Sequence, residues 1–226
     1  MRVKICGITN PDDALAAARY GADFVGLILA PSARRVTVRV ATQLVDVLPP
    51  ETQPVLVFRD APMDELLAAL NDTGCEWVQL HGREPPPYLK ELETRCPQAR
   101  VIKGWEVSGP SAGDELISYL RQVGNEGARI EVVILDVPKD GPHPGYQCLA
   151  EVSRRCVGQV GTSHRQAAPG EQPRIWCAGG LTPENLATVV AAGCYDGVDV
   201  AGGVESRPGV KDHDAMRRFI EAAKSL

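Results

Sequence analysis

Residues 3–6, Val3-Lys4-Ile5-Cys6, form a short apolar run that ends at a polar tip and a glycine, Gly7. The pattern returns at Phe24 to Leu29, Val55 to Phe58, Trp77 to Leu80, Val101 to Trp105, Val132 to Asp136, Ile175 to Ala178 and Gly197 to Val200, and most of these runs lead into a helix-like stretch. Continuous apolar runs, in place of strict alternation, are what parallel strands show when helices cover one face and a barrel interior covers the other. Spread over the 226 residues of the chain, eight such units average about 28 residues each, close to the length of a βα repeat. A doubly wound open sheet shares this local pattern and differs only in closure. The expected fold is therefore α/β, a single-domain (β/α)8 TIM barrel spanning residues 1–226. In that fold the C-terminal strand ends converge on one mouth, so Cys6, Asp136 and Asp199, all at strand tips, can share a site.

The joints between strands and helices carry recognisable chemistry. Asn10-Pro11-Asp12-Asp13 offers an N-cap, a proline at the first helical position and acidic residues in the first turn, and Thr182-Pro183-Glu184 repeats the device. Helix exits recur at Gly21, Gly74 and Gly193, each followed by a short step and a new strand, where glycine can take the left-handed conformation that stops a helix. Residues 157–173, VGQVGTSHRQAAPGEQP, break the rhythm. Their poverty in apolar residues predicts a flexible surface loop before the seventh strand. That loop enters on the side away from the mouth, which argues against a catalytic role for His164.

Composition narrows the function classes. With 44% hydrophobic and 23% charged residues the chain has material for one large core. A net charge of -5, and no Lys/Arg cluster interleaved with aromatics, argue against nucleic acid as a partner and favour a small molecule. Seven cysteines are scattered without CxxC or Cys/His spacing, so neither a disulfide framework nor a metal site is expected. The N-terminal residues lack the apolar core of a signal peptide, and no stretch approaches the ~18 to 20 apolar residues of a membrane span. A cytoplasmic protein with no membrane association is the expectation.

Several strand tips hold groups that could do chemistry. Cys6 can be a small buried hydrophobe. Lys4, two residues earlier, would point the same way on a strand, and its charge could lower the thiol pKa, making Cys6 a nucleophile or general base. Asp136 closes VVILD and Asp199 lies in GVDVAGG; each can be a cap or salt-bridge partner, or one of a pair of acid and base groups. Arg35, in the loop after strand two, has the planar guanidinium that suits a carboxylate. Gly179-Gly180 and Gly202-Gly203 follow strands seven and eight, where this fold places its phosphate site on backbone N–H groups. His81, at the tip of strand four, can orient a substrate or be structural. His143 and His213 carry no geometric argument.

Taken together, VKICGIT, GADFVGLIL followed by SARRVT, VQLHG, VILD, AGGLTPEN and GVDVAGGVESRPGVKD resemble the phosphoribosylanthranilate isomerases of tryptophan biosynthesis, in order and from the first strand to the last helix. The resemblance implies a cofactor-free Amadori rearrangement of N-(5′-phosphoribosyl)anthranilate to the 1-(2-carboxyphenylamino)-1-deoxyribulose 5-phosphate ketose. It implies Asp136 as the general acid that protonates the furanose oxygen and Cys6 as the general base that removes the C2′ proton. It implies Arg35 as the holder of the anthranilate carboxylate, with His81 and Asp199 lining the site. The phosphate would lie on Gly179, Gly180, Gly202 and Gly203. Other enzymes of the pathway are the implied protein partners.

Two segments depart from the family pattern. After the acid the family has a glycine-rich GG(S/T)GKTFDW-like lid, whereas this chain has KDGPHPGYQCL, in which Tyr146 can stand for the aromatic. Where the family has DVSSGVE this chain has DVAGGVE, so Ala201 and Gly202 offer no hydroxyls. A raised Michaelis constant or a relaxed substrate preference is expected. The alternatives are a paralogue acting on another phosphorylated sugar or aminoaldose, and a non-catalytic phosphosugar-binding barrel.

Overall fold

In a computed structural model, which describes residues 1–138, 145–163 and 172–226, eight parallel strands close into a barrel. They are β1 (Arg2–Cys6), β2 (Phe24–Ile28), β3 (Gln53–Phe58), β4 (Trp77–Leu80), β5 (Arg100–Glu106), β6 (Val132–Asp136), β7 (Arg174–Cys177) and β8 (Gly197–Val200). β1 pairs in parallel with both β2 and β8, which completes the closure. The helices α1 (Pro11–Tyr20), α2 (Val38–Val47), α3 (Met63–Thr73), α4 (Pro86–Arg95), α5 (Ala112–Asn125), α6 (Tyr146–Ser163), α7 (Leu186–Ala192) and α8 (His213–Lys224) alternate with the strands. Between β8 and α8 the chain adds one 3-10 turn, Gly202–Val204, and a small antiparallel pair, β9 (Glu205–Arg207) and β10 (Val210–Lys211).

The strands read as unbroken apolar runs because both faces are buried. Outward residues such as Val3, Ile5, Val25, Leu27, Val133, Leu135 and Val198 pack with the helices in one continuous core. Inward residues form a second, smaller core of Phe24, Val55, Trp77, Ile102, Val132, Ile134, Trp176 and Ala178. At its base Phe24 meets Trp77 edge-on at 5.0 Å and Trp176 at 5.2 Å between ring centroids. This aromatic plug fills the N-terminal half of the barrel. Toward the C-terminal ends the inward positions turn polar: Lys4 and Cys6 on β1, Gln79 on β4, Asp136 on β6 and Asp199 on β8. A step of two residues along each strand thus separates packing from chemistry.

The joints partly follow expectation. Asn10 caps α1 by accepting from the Asp13 N–H at 2.9 Å, and Gly21 and Gly74 end α1 and α3 at φ of 95° and 67°. Gly193 does not take the left-handed conformation; its φ is -126°. Glycine is needed there for space, since a Cβ would lie 2.3 Å from the Tyr195 ring. Thr182 accepts from the N–H groups of Glu184 and Asn185, but regular helix starts only at Leu186. The segment expected as a loop over 157–173 is corrected at its start, because α6 continues through Ser163. Its centre, with His164, and the stretch 139–144 that includes His143 lie outside the described residues. Among the described residues no helix is long and apolar enough to cross a membrane.

Candidate active site

A cavity of about 450 Å³ opens at the C-terminal mouth of the barrel, and Cys6, His81, Asp136, Asp199, Gly179, Gly180, Gly202 and Gly203 all line it. On one wall, register places Lys4 opposite Asp199 across the β1–β8 seam, and Lys4 Nζ lies 3.0 Å from Asp199 Oδ1. Both residues are buried. Lys4 is held above its ordinary pKa: burial works to lower it, but the Asp199 carboxylate and the Cys6 side chain outweigh burial. Room for this cluster comes from Gly26 on β2, where a Cβ would fall 2.7 Å from Cys6 Sγ and 2.9 Å from Lys4 Nζ.

Lys4 does not lower the Cys6 thiol below its ordinary value, as its charge alone would suggest. Burial pushes the thiol up, Lys4 opposes this, and Asp199 adds to the rise; the balance lies above the ordinary value. The lysine's charge is already compensated by Asp199. Cys6 is therefore a neutral thiol at neutral pH in the free protein.

Behind Cys6 a second buried cation ties the wall together. Lys211 Nζ, brought in by β10, donates to the carbonyls of Cys6 at 2.7 Å and Ala201 at 3.0 Å and to Glu205 Oε1 at 3.0 Å. Burial lowers the Lys211 pKa, with Glu205 opposing. Glu205 also grips Arg34 by two bonds, Nε to Oε1 at 2.8 Å and Nη2 to Oε2 at 2.7 Å. That contact raises the Arg34 pKa, so the guanidinium stays charged.

Arg34, and not Arg35, lines the cavity. Arg35 is exposed, its backbone bridging to Ile28. Two adjacent arginines in a loop carry no periodicity to say which faces inward; the neighbours decide it. Gly7, at φ 76°, lies against the Arg34 stem, where a Cβ would meet Cδ at 2.6 Å, and the Gly202 Cβ position lies 3.4 Å from Arg34 Nη2. A side chain at either position would crowd Arg34.

On the opposite wall Asp136 ends β6. Its Oδ1 accepts from the Val137 N–H at 2.8 Å, and its Oδ2 lies 3.5 Å from His81 Nε2. His81 Nδ1 is 2.9 Å from Gln79 Nε2, a contact the sequence did not flag. The turn after His81 is braced by the buried pair of Lys103 and Glu84 at 2.9 Å, with Glu84 also accepting from the N–H groups of Gly82 and Asp60.

The far rim is made of glycines. Gly179 and Gly180 are both left-handed, at φ 89° and 63°. Their carbonyls accept from Tyr146 Oη at 3.0 Å each, and Asn185 Nδ2 donates to Gly180 at 2.9 Å. Their own N–H groups have no partner among the described residues. Gly203 lets the loops after β7 and β8 touch, since a Cβ there would stand 1.7 Å from the Leu181 carbonyl oxygen. The Ala201-Gly202-Gly203 departure thus leaves a rim of backbone, with Arg34 beside it.

The sequence profile of N-(5′phosphoribosyl)anthranilate (PRA) isomerase matches residues 3–142 and 147–222. The chain belongs to this isomerase family. A family member from Symbiobacterium thermophilum is 36% identical, over 100% of this chain and 99% of its own length. Another, from Methanocella arvoryzae, is 35% identical over 99% and 98%. The crystal structure of the phosphoribosyl anthranilate isomerase from Thermotoga maritima superposes with a TM-score of 0.81 at 30% identity, covering 100% of both chains. A solved isomerase in complex with reduced 1-(o-carboxyphenylamino)-1-deoxyribulose 5-phosphate gives 0.80 at 30% identity, again over the whole of both chains. The family, the closed barrel and the isomerase class read from the sequence therefore stand.

Proposed function

We propose that this member of the family converts N-(5′-phosphoribosyl)anthranilate to 1-(2-carboxyphenylamino)-1-deoxyribulose 5-phosphate with Asp136 as acid and Cys6 as base. The observation that carries the reading is that a carboxyl and a thiol, from β6 and β1, line one cavity with Gly179 and Gly180, whose N–H groups have no partner among the described residues.

Asp136 gives its proton to the furanose ring oxygen as the C1′–O4′ bond breaks, and the nitrogen lone pair forms the C1′=N bond of a cationic Schiff base. Cys6, as thiolate, takes the C2′ proton; the electron pair left behind forms C1′=C2′ and neutralises the nitrogen. The resulting enolamine becomes the ketone when C1′ is protonated and the C2′ hydroxyl proton leaves. Both proton transfers are general acid–base steps. Asp199 and Lys4, ion-paired beside Cys6, supply fixed charges next to the thiol as the substrate charge moves.

Arg34 takes the role that the resemblance assigned to Arg35. Its guanidinium is charged and fixed by Glu205 in the cavity wall, a pre-organised donor for the anthranilate carboxylate. The phosphate rests on the N–H groups of Gly179 and Gly180, with Gly202 and Gly203 opposite. A cytoplasmic location beside other enzymes of tryptophan biosynthesis belongs to the proposal, and seven free cysteines fit a reducing compartment. Cell fractionation with co-purification checks that part.

The deciding experiment follows freshly generated phosphoribosylanthranilate by loss of anthranilate fluorescence. The wild-type chain is expected to turn it over, and Cys6→Ala and Asp136→Asn each to lose about 10²- to 10⁴-fold in kcat. Full activity in either variant would remove that residue from the mechanism.

A further inference from the structure

Gln79 stands on β4 two residues before His81, so both side chains face the barrel interior. Both line the cavity, and Gln79 itself is buried. Its Nε2, which can only donate, lies 2.9 Å from His81 Nδ1. Facing this donor Nδ1 accepts, which places the ring proton on Nε2, the nitrogen 3.5 Å from Asp136 Oδ2.

Two further observations show that this arrangement is held in place. The opposite amide atom, Gln79 Oε1, is buried with no hydrogen-bond partner among the described residues, so the only side-chain bond of the amide there is the one to His81. On β5, Gly104 makes room for the ring, since a Cβ there would fall 2.3 Å from His81 Nδ1.

The arrangement bears on where the acid keeps its proton. A carboxyl oxygen has two lone pairs. On Asp136 one lone pair of Oδ1 is taken by the Val137 N–H, and one of Oδ2 faces the His81 N–H. The acidic proton is left with the remaining positions, away from His81. With the other tautomer, bare Nε2 would draw that proton to itself as an O–H···N bond and away from the substrate. We propose that Gln79 is a positioning residue which, by donating to Nδ1, fixes the His81 tautomer that turns an N–H toward Asp136 and keeps the Asp136 proton free for the substrate. The inference rests on the reading of Asp136 as the acid, and turnover by Asp136→Asn, measured first, decides that reading separately.

The test is ¹⁵N NMR of the full chain labelled at histidine, with the His81 signals assigned by their loss in His81→Asn. In the wild type His81 is expected to show an unprotonated Nδ1 and a protonated Nε2. Gln79→Leu, similar in size but without the donor, is expected to shift both nitrogens toward a mixture of tautomers. The same variant should lower kcat by about 10- to 100-fold while KM stays within about twofold. A wild-type His81 protonated on Nδ1 would overturn the proposal, and that spectrum needs no variant to fold. So would a Gln79→Leu protein that loses activity with an unchanged tautomer, or one whose loss lies in KM alone.

Discussion

Cys6 keeps its proton at neutral pH, because burial pushes the thiol up and its counterweight Lys4 is already paired with Asp199. A base that starts protonated does not forbid the chemistry. Thiolate with carboxyl carries the same number of protons as thiol with carboxylate, so the two forms interconvert without any change of pH. The thiol is better read directly, by peptide-resolved alkylation with iodoacetamide. Since its folded pKa is raised, Cys6 is expected to react slowly at neutral pH and faster as pH climbs, reaching half its maximal rate above the ordinary thiol value. Lys4→Met removes the influence that lowers the thiol and should move the midpoint further alkaline; a move toward acid would refute the assignment of Lys4's effect. Arg34 and Arg35 make an equally sharp pair. A charge-assisted contact is worth about 1.5–3 kcal/mol, so Arg34→Met is expected to raise KM by about 10- to 100-fold, while Arg35→Ala, exposed and outside the wall, should leave KM near wild type. The reverse ranking would restore the role to Arg35.

At the scale of elements, the loops after β7 and β8 form one rim only because residue 203 is glycine. A Cβ 1.7 Å from a backbone carbonyl oxygen cannot be relieved by turning a side chain. Gly203→Ala must part the two loops, and is expected to weaken inhibition by inorganic phosphate by about tenfold or more, as one charge-assisted hydrogen bond is lost. An unchanged inhibition constant would mean that the phosphate does not bridge the loops. This kind of contact also marks where sequence reading stops. The strands were legible from runs such as Val132 to Asp136, since burial on both faces leaves an unmistakable apolar signature. The tips were legible too, for Cys6, Asp136 and Asp199 interrupt apolar runs where an interruption needs a reason. Arg34 was hidden because a loop has no period, and the Gly7 and Glu205 that orient it lie far apart in sequence. Gly193 shows the same limit: the glycine was seen, but its reason is the Tyr195 ring and not a left-handed turn. The end of α6 was missed because Gly and Ser weaken helix propensity without forbidding helix.

Across the whole molecule the barrel divides its labour along its axis, and the division can be measured. The N-terminal half holds the aromatic plug of Phe24, Trp77 and Trp176, while the titratable groups of the cavity stand at the other end. Truncating the plug should then cost stability and little else, and altering the mouth should do the reverse. Phe24→Ala removes a ring that touches two tryptophans, and is expected to lower the free energy of unfolding by about 3–5 kcal/mol. Below its denaturation midpoint the folded fraction should keep kcat and KM within about twofold of wild type, because the plug makes no contact with reacting atoms. Asp136→Asn should leave the urea midpoint close to wild type and remove turnover, since the amide can still occupy the carboxylate's place beside Val137. Urea titrations read alongside kinetics on the two proteins check both halves. If Phe24→Ala lost activity while still folded, the plug would be setting the geometry of the mouth, and the two halves would have to be treated as one mechanical unit.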